Sequence, residues 1–156
     1  MSVLPCESQG LASRLQHKLQ LQQVVLTRAF DGPAVVCGDF GQLRQVFVNL
    51  ILNACDAMPN GGTLAVTSKT VDEGRSVEIA VADTGTGIAP EHLSRIFDPF
   101  FTTKQMGTGL GLSVVYGVVE KHGGSMKAQS RLGEGTTMTM RLPLAGKAAA
   151  PAGAAV

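Results

Sequence analysis

Two glycine-rich stretches decide how this chain folds: Asp83-Thr84-Gly85-Thr86-Gly87-Ile88 and Gly107-Thr108-Gly109-Leu110-Gly111-Leu112. Glycine lacks a Cβ and tolerates positive φ, so clusters of glycine let the backbone pass close to a flat ligand. The second stretch runs directly into the apolar residues 113–119, which are predicted to form a helix. Backbone amides at the N-terminus of a helix bind anions. Together the two stretches indicate a site for a flat, phosphorylated ligand.

Charge and composition restrict the classes of partner. The chain has 156 residues, with 13 basic and 12 acidic side chains and a formal net charge of +1. The chain therefore lacks the excess of positive charge that is typical of proteins that bind nucleic acid or an anionic membrane. The three cysteines lack the paired spacing of a metal site, which indicates reduced thiols. Neither a secretory leader nor a membrane span is visible, so we expect a cytoplasmic domain, whose parent protein could be membrane-anchored.

The apolar pattern predicts the element order α-β-β-α-β-β-α-loop-α-β-β. This order favours a two-layer α/β sandwich over alternating β-α-β units. Asp39 lies three residues before Gln42, the spacing of a capping box, and should begin the second helix. Residues 1–144 should form the domain, and the Ala/Gly/Pro-rich residues 145–156 a disordered tail. The predicted helices are 11–19, 40–58, 90–96 and 110–121, the strands 22–30, 34–37, 64–70, 77–82, 125–131 and 136–142, and the mobile loop 98–106.

One face of the second predicted helix is polar. Gln45, Asn49, Asn53 and Asp56 recur at spacings of four, four and three, opposite apolar residues that can pack on a sheet. Such amides can simply face water. A hard cation such as Mg²⁺ takes oxygen ligands, often few of them from protein when phosphates and waters supply the others. An asparagine carbonyl fits that role, and both interpretations stay open on spacing alone.

Asp83 ends an apolar predicted strand and enters the first glycine stretch. A carboxylate there could accept a hydrogen bond from the exocyclic amine of a planar ring, or it could close an Asx turn. The second stretch has leucine at position 112, where a dinucleotide or protein-kinase glycine loop needs glycine. The chain also has no Gly-x-x-x-x-Gly-Lys-Ser/Thr P-loop, so these nucleotide-binding classes are excluded.

Four motifs together resemble those of sensor histidine kinases. Residues 49–58 look like the family's N box and read Asn-Leu-Ile-Leu-Asn-Ala-Cys-Asp-Ala-Met, while residues 83–88 are similar to its first glycine box. Residues 96–104 resemble the F box and read Ile-Phe-Asp-Pro-Phe-Phe-Thr-Thr-Lys, while residues 107–112 resemble the second glycine box. The motifs occur in the family's order, and the N and F boxes look most like those of nitrogen- and oxygen-sensing kinases. Each motif is weak alone, but the set is specific.

The resemblance implies the Bergerat ATP-binding fold, a mixed, mostly antiparallel sheet with helices on one face and a flexible ATP lid. It implies that Asn53 coordinates Mg²⁺, that Asp83 binds the adenine amino group, and that Lys104 on the lid meets the terminal phosphates. Thr136 would support Asp83 in the pocket. The other residues that the motifs place around ATP are Asp56, Gly85, Gly87, Ile88, Thr102, Thr103, Gly107, Thr108, Gly109, Leu110, Gly111 and Leu112.

The resemblance also bears on the reaction. ATPase relatives commonly have glutamate, a base that activates water, where this chain has Asn49. Because an amide cannot act as a general base, slow hydrolysis and transfer to an acceptor are favoured. The expected catalytic residues are therefore Asn49, Asn53 and Lys104.

The implied function is transfer of the γ-phosphoryl group of Mg²⁺-ATP to a histidine on a separate dimerisation helix, with a response regulator as the next partner. The family's acceptor histidine lies in a helix before this domain and is usually followed by an acidic residue. None of His17, His92 and His122 fits that description. We expect a monomer without direct membrane or nucleic-acid contact. Two alternatives stay open: a stand-alone serine kinase of the anti-sigma-factor type, and a non-catalytic, nucleotide-gated binding module in which ATP orders the lid and changes a docking surface.

Overall fold

A five-stranded sheet forms one layer of the molecule in a computed structural model that describes residues 17–30, 36–98 and 111–144. The strands are β1 (Val24–Phe30), β2 (Gly62–Val71), β3 (Ser76–Asp83), β4 (Ser125–Arg131) and β5 (Gly135–Pro143). Their order in the sheet is β1-β2-β3-β5-β4. The first pair is parallel and the other neighbouring pairs are antiparallel, so the predicted mixed, mostly antiparallel sheet is confirmed.

The second layer consists of helices, of which the main ones are α1 (Phe40–Asp56) and α3 (Gly111–Lys121). They pack against each other and over one face of the sheet. Alternate residues of β2, β3 and β5 are buried on that face, as the period of a half-buried strand requires. The short helix α2 (Pro90–Leu93) ends three residues earlier than the prediction of 90–96. No helix in the described ranges is long and apolar enough to cross a membrane.

Several predicted elements fall partly or wholly outside the described residues. Residues 17–21 are helical and agree with the end of the predicted first helix, and its earlier part is not described. The predicted lid beyond residue 98 and the predicted tail at 145–156 also lie outside the described ranges.

The connection between β1 and β2 differs from the prediction. Val36 and Cys37, the described end of the predicted strand at 34–37, are not in a strand. In the described residues α1 is the element between β1 and β2, and the two strands are parallel, with Val24 opposite Gly62. A helical crossover carries the chain back to the end of the sheet at which the first strand began, so the two strands that it joins run in the same direction. The described residues therefore contain a β-α-β unit within the predicted two-layer sandwich.

A cap begins α1, and it also joins the two main helices. The Asp39 side chain accepts a hydrogen bond from the amide of Gln42 at 3.0 Å, which confirms the predicted cap. In place of the reciprocal bond of a capping box, the Asp39 amide donates to Nε2 of His122 at 3.0 Å. His122 follows α3, is 3 % exposed, and places Nδ1 2.8 Å from the carbonyl of Val118. These partners fix the neutral tautomer with hydrogen on Nδ1, because one partner only donates and the other only accepts.

Candidate functional site

Asp83 is the last residue of β3 and is half-buried. Its Oδ1 accepts hydrogen bonds from the amides of Gly85 at 2.9 Å and Thr136 at 3.3 Å. Burial raises the pKa of the Asp83 carboxyl, and the two hydrogen bonds offset part of that rise because they favour the charged form. The bond to Gly85 is the Asx turn that the sequence allowed. Since both bonds end on Oδ1, Oδ2 keeps its capacity to accept a hydrogen bond from a ligand.

The glycines after Asp83 are required by the protein's own backbone. A Cβ on Gly85 would collide with the carbonyl of Ala57, just beyond α1, and a Cβ on Gly87 would collide with the carbonyl of Arg131. Gly87 also has a φ of 76°. The amide of Thr86 donates to the Ala57 carbonyl at 2.9 Å. Loop 84–88 is therefore held between the end of α1 and the β4–β5 turn, and these glycines are explained without a ligand.

Ser130 joins this loop to the strand that carries Thr136. The Ser130 hydroxyl lies 2.7 Å from the amide of Ile88, 3.0 Å from the carbonyl of Gly135 and 2.8 Å from the Thr136 hydroxyl. Sequence reasoning did not select this residue. The sequence did contain one signal for Ser130. It is a polar residue on the same face of β4 as the apolar Met126 and Ala128.

The polar face of α1 contacts the beginning of α3. The Asn49 side-chain oxygen accepts a hydrogen bond from Nε2 of Gln45 at 3.1 Å, and its Nδ2 donates to the carbonyl of Gly111 at 3.4 Å. Asn49 thus links the predicted N box to the described end of the second glycine stretch. Asn53 lies one turn further along α1 and is half-exposed, and Asp56 at the end of the helix is exposed.

The described start of the predicted F box packs on α3. Ile96 is buried in the core, and the Phe97 ring lies against Tyr116 with ring centroids 5.2 Å apart. The segment that leads into the predicted lid is therefore attached to the helix that follows it.

The structure divides the predicted site residues into three groups: Asn49, Asn53 and Asp56 on α1; Asp83, Gly85, Gly87, Ile88 and Thr136 at the end of β3; and Gly111 and Leu112 at the start of α3. Hydrogen bonds join Asp83 to Gly85 and Thr136, and they join Asn49 to Gly111. The other predicted site residues lie outside the described residues: Thr102, Thr103, Lys104, Gly107, Thr108, Gly109 and Leu110.

The side chains of the described residues suit a metal ion that is held mainly by a bound nucleotide. Within those ranges, no group of three or more His, Cys, Asp or Glu side chains could hold a metal ion. Mg²⁺ bound to a nucleotide does not need such a cage, because phosphates and waters supply most of its oxygen ligands. Asn53 is half-exposed on α1, and its side chain carries a carbonyl oxygen, the kind of ligand that this style of binding uses.

Comparison with known proteins identifies the class. The family model of histidine kinase-, DNA gyrase B- and HSP90-like ATPases matches residues 38–146, so the chain belongs to this family. Sensor histidine kinase ZraS of Escherichia coli (strain K12) is 40 % identical over 149 residues, which cover 90 % of this chain and 32 % of ZraS. Sporulation kinase E of Bacillus subtilis (strain 168) is 40 % identical over 129 residues, which cover 83 % of this chain and 17 % of that kinase. The chain thus spans only a minor part of these relatives.

Solved structures agree with this assignment. The catalytic domain of histidine kinase ThkA matches with a TM-score of 0.75 at 29 % identity, covering 86 % of this chain and 90 % of that domain. Full-length ShkA in complex with AMPPNP matches with a TM-score of 0.73 at 29 % identity, covering 90 % of this chain and 31 % of ShkA. The predicted fold, that of a histidine kinase catalytic domain, is thereby confirmed.

Proposed function

We propose that this chain is the catalytic domain of a sensor histidine kinase, which binds Mg²⁺-ATP and presents it to a histidine on a separate dimerisation domain. The observation that carries the proposal is the Asp83 carboxylate. Two backbone amides hold its Oδ1 at the end of β3, and Oδ2 can accept a hydrogen bond from outside the protein. Family membership and the sensor kinases among the relatives support the same function.

Each end of the nucleotide would meet a different part of the site. Asp83 would accept a hydrogen bond from the adenine amino group through Oδ2. Amides at the described start of α3 would face phosphate oxygens from Gly111 onward. Asn53 would hold Mg²⁺ through its side-chain oxygen. When bound, this ion neutralises charge on the phosphates, and the protein contributes mainly by positioning the groups.

Asn49 supports transfer over hydrolysis, and His122 is unsuited to be the acceptor. The Asn49 side chain cannot take a proton from water, and its amide is already engaged with Gln45 and Gly111. His122 cannot attack a phosphate, because it is buried and both of its ring nitrogens have partners. We therefore place the acceptor histidine on a separate helix of the parent or of a partner kinase, with a response regulator downstream.

Thermal unfolding with and without Mg²⁺-ADP tests nucleotide binding. At a hundred times its dissociation constant, a ligand stabilises the folded state by about 2.7 kcal/mol, which should raise the midpoint by roughly 5 °C. Asp83→Asn keeps an oxygen for the amides of Gly85 and Thr136 but places an N–H where the adenine amine needs an acceptor. We expect it to fold and to lose the shift. Asp72→Asn, at the opposite end of β3, should retain the shift.

Phosphotransfer to a separately expressed acceptor fragment tests the reaction. The phosphate on the acceptor should be labile in acid, as a phosphoramidate is, and Asn53→Ala should abolish the transfer. Acid-stable phosphate would instead indicate a serine kinase. Absence of a midpoint shift at millimolar nucleotide, or an undiminished shift in Asp83→Asn, would contradict the proposed site.

A further inference from the structure

We infer that Ser130 sets the base selectivity of the nucleotide site by fixing the direction of the Thr136 hydroxyl. The inference rests on the proposed function and concerns two residues that face each other across β4 and β5. Their hydroxyl oxygens are 2.8 Å apart. Thr136 is 6 % exposed, and its own amide donates to Oδ1 of Asp83. The orientation of this hydroxyl therefore matters directly beside the proposed adenine contact.

The partners of Ser130 determine where each hydrogen lies. The carbonyl of Gly135 can only accept, so the single hydrogen of Ser130 serves the 3.0 Å bond to that oxygen. The amide of Ile88 can only donate, so it occupies one lone pair of Ser130 at 2.7 Å. The other lone pair accepts the hydroxyl hydrogen of Thr136. This arrangement satisfies all four groups, as is expected of polar groups away from water.

The consequence concerns what Thr136 can offer a ligand. Since its hydrogen is committed to Ser130, the Thr136 oxygen presents lone pairs only, and Oδ2 of Asp83 also only accepts when ionised. Two acceptors at the end of β3 favour a base edge that carries an amine, as adenine does, whether the contact is direct or through water. Guanine carries a carbonyl oxygen at that position and would face acceptors without a hydrogen between them.

Ser130 also has a structural role, and the two roles predict different results. Its bond to the Ile88 amide helps hold loop 84–88, together with the 2.8 Å bond from the amide of Gly133 to the carbonyl of Thr86. Loss of this loop contact alone would weaken binding of all nucleotides equally. If Ser130 no longer fixed the orientation of the Thr136 hydroxyl, Thr136 could turn its hydrogen toward the ligand. This would weaken the binding of adenine and favour guanine.

Titration calorimetry with Mg²⁺-ADP and Mg²⁺-GDP separates these roles in the whole chain. The parent should prefer ADP, and Ser130→Ala should lower the ratio of the GDP to the ADP dissociation constant by about tenfold. Ser130→Thr, which keeps the hydroxyl, should retain the ratio. Ser125→Ala, on the same strand but exposed, should match the parent.

A second variant makes the test independent of how well Ser130→Ala folds. Thr136→Val keeps the backbone amide that bonds to Asp83 but removes the hydroxyl, so it should also lower the ratio. The combined variant should lower the ratio no further than Thr136→Val alone, because both changes act through one hydroxyl. Equal weakening of ADP and GDP in Ser130→Ala, or additive effects in the combined variant, would overturn the inference. A parent that binds neither nucleotide would instead show that the proposed function is wrong.

Discussion

The two ends of the proposed nucleotide site are held in different ways. At the end of β3, backbone amides and hydroxyls of three segments bond to one another at 2.7 to 3.0 Å, with one longer bond of 3.3 Å. At the phosphate end, α1 bonds to the described start of α3 through the 3.4 Å bond from Asn49 to Gly111, beside a half-exposed Asn53. In the proposed site, the base end would therefore be preorganised by the fold, which favours affinity and selectivity, and the phosphate end would rely on side chains suited to the chemistry.

The strongest way to break the base end is to disturb its backbone. Gly87→Ala would place a Cβ against the carbonyl of Arg131 at a φ of 76°. We expect a loss of unfolding free energy of about 2–4 kcal/mol, from the strained backbone and the overpacking together, with weaker ADP binding. Urea unfolding and ADP titration measure both effects.

Gly133→Ala is the matched control for that substitution. Its φ is 80°, but a Cβ there would meet nothing within 4 Å. It should lose only about 1–2 kcal/mol, the cost of the left-handed conformation. Equal losses in the two variants would show that close packing of the loop on the β4–β5 turn is unimportant.

A change at the phosphate end should affect transfer more than binding. Asn49→Ala removes the link to Gly111 while leaving the Asp83 site intact. We expect the rate of phosphotransfer to fall about tenfold and the dissociation constant of ADP to change less than threefold. Single-turnover transfer from ATP and calorimetry with ADP give the two numbers. A larger effect on ADP binding than on transfer would remove the distinction between the two ends.

The smallest expected effect is a pH dependence that originates at the base end. Burial raises the pKa of Asp83 in the folded protein above its value in the unfolded chain, so the folded state favours the protonated form. The stability from this group is complete below the unfolded pKa and is lost as pH rises through the folded pKa. The Asp83→Asn variant has no carboxyl to titrate and does not lose this stability. The unfolding free energy of the variant minus that of the parent should therefore grow from acid to neutral pH. Urea unfolding across that range measures the difference, and a pH-independent difference would contradict this account.

The sequence predicted most of the elements because their apolar periods are strong, as in β3 and α3. It failed at Val36 and Cys37, which end a short apolar run that reads as a strand and are not in a strand. β1 pairs in parallel with β2, the next described strand along the chain. Periodicity describes local structure and contains no information on which strand lies beside which.

Asp83 and Asn53 could be proposed from the sequence because each combines a distinctive chemistry with a motif, and their roles in binding ATP stay predictions. Ser130 could not, because one serine in a strand carries no motif, and its importance comes from three partners that only the fold brings together. The capping partner of Asp39 was missed for the same reason, since His122 lies 83 residues away. The predicted contribution of Lys104 to phosphate binding stays a prediction.

His122 holds one end of α3, so this helix can turn about that residue. At the C-terminal end of the helix, His122 contacts the carbonyl of Val118 in α3 at 2.8 Å and accepts the 3.0 Å bond from Asp39 at the beginning of α1. The described end at Gly111 bonds to Asn49 of α1 at the longer distance of 3.4 Å. A tilt of α3 would therefore rotate about His122 and displace Gly111. For a helix of 11 residues, a rotation of about 10° moves the far end by roughly 3 Å, about the length of one hydrogen bond. A small rotation of α3 about the buried His122 would thus be sufficient to make or release a phosphate contact in the proposed site.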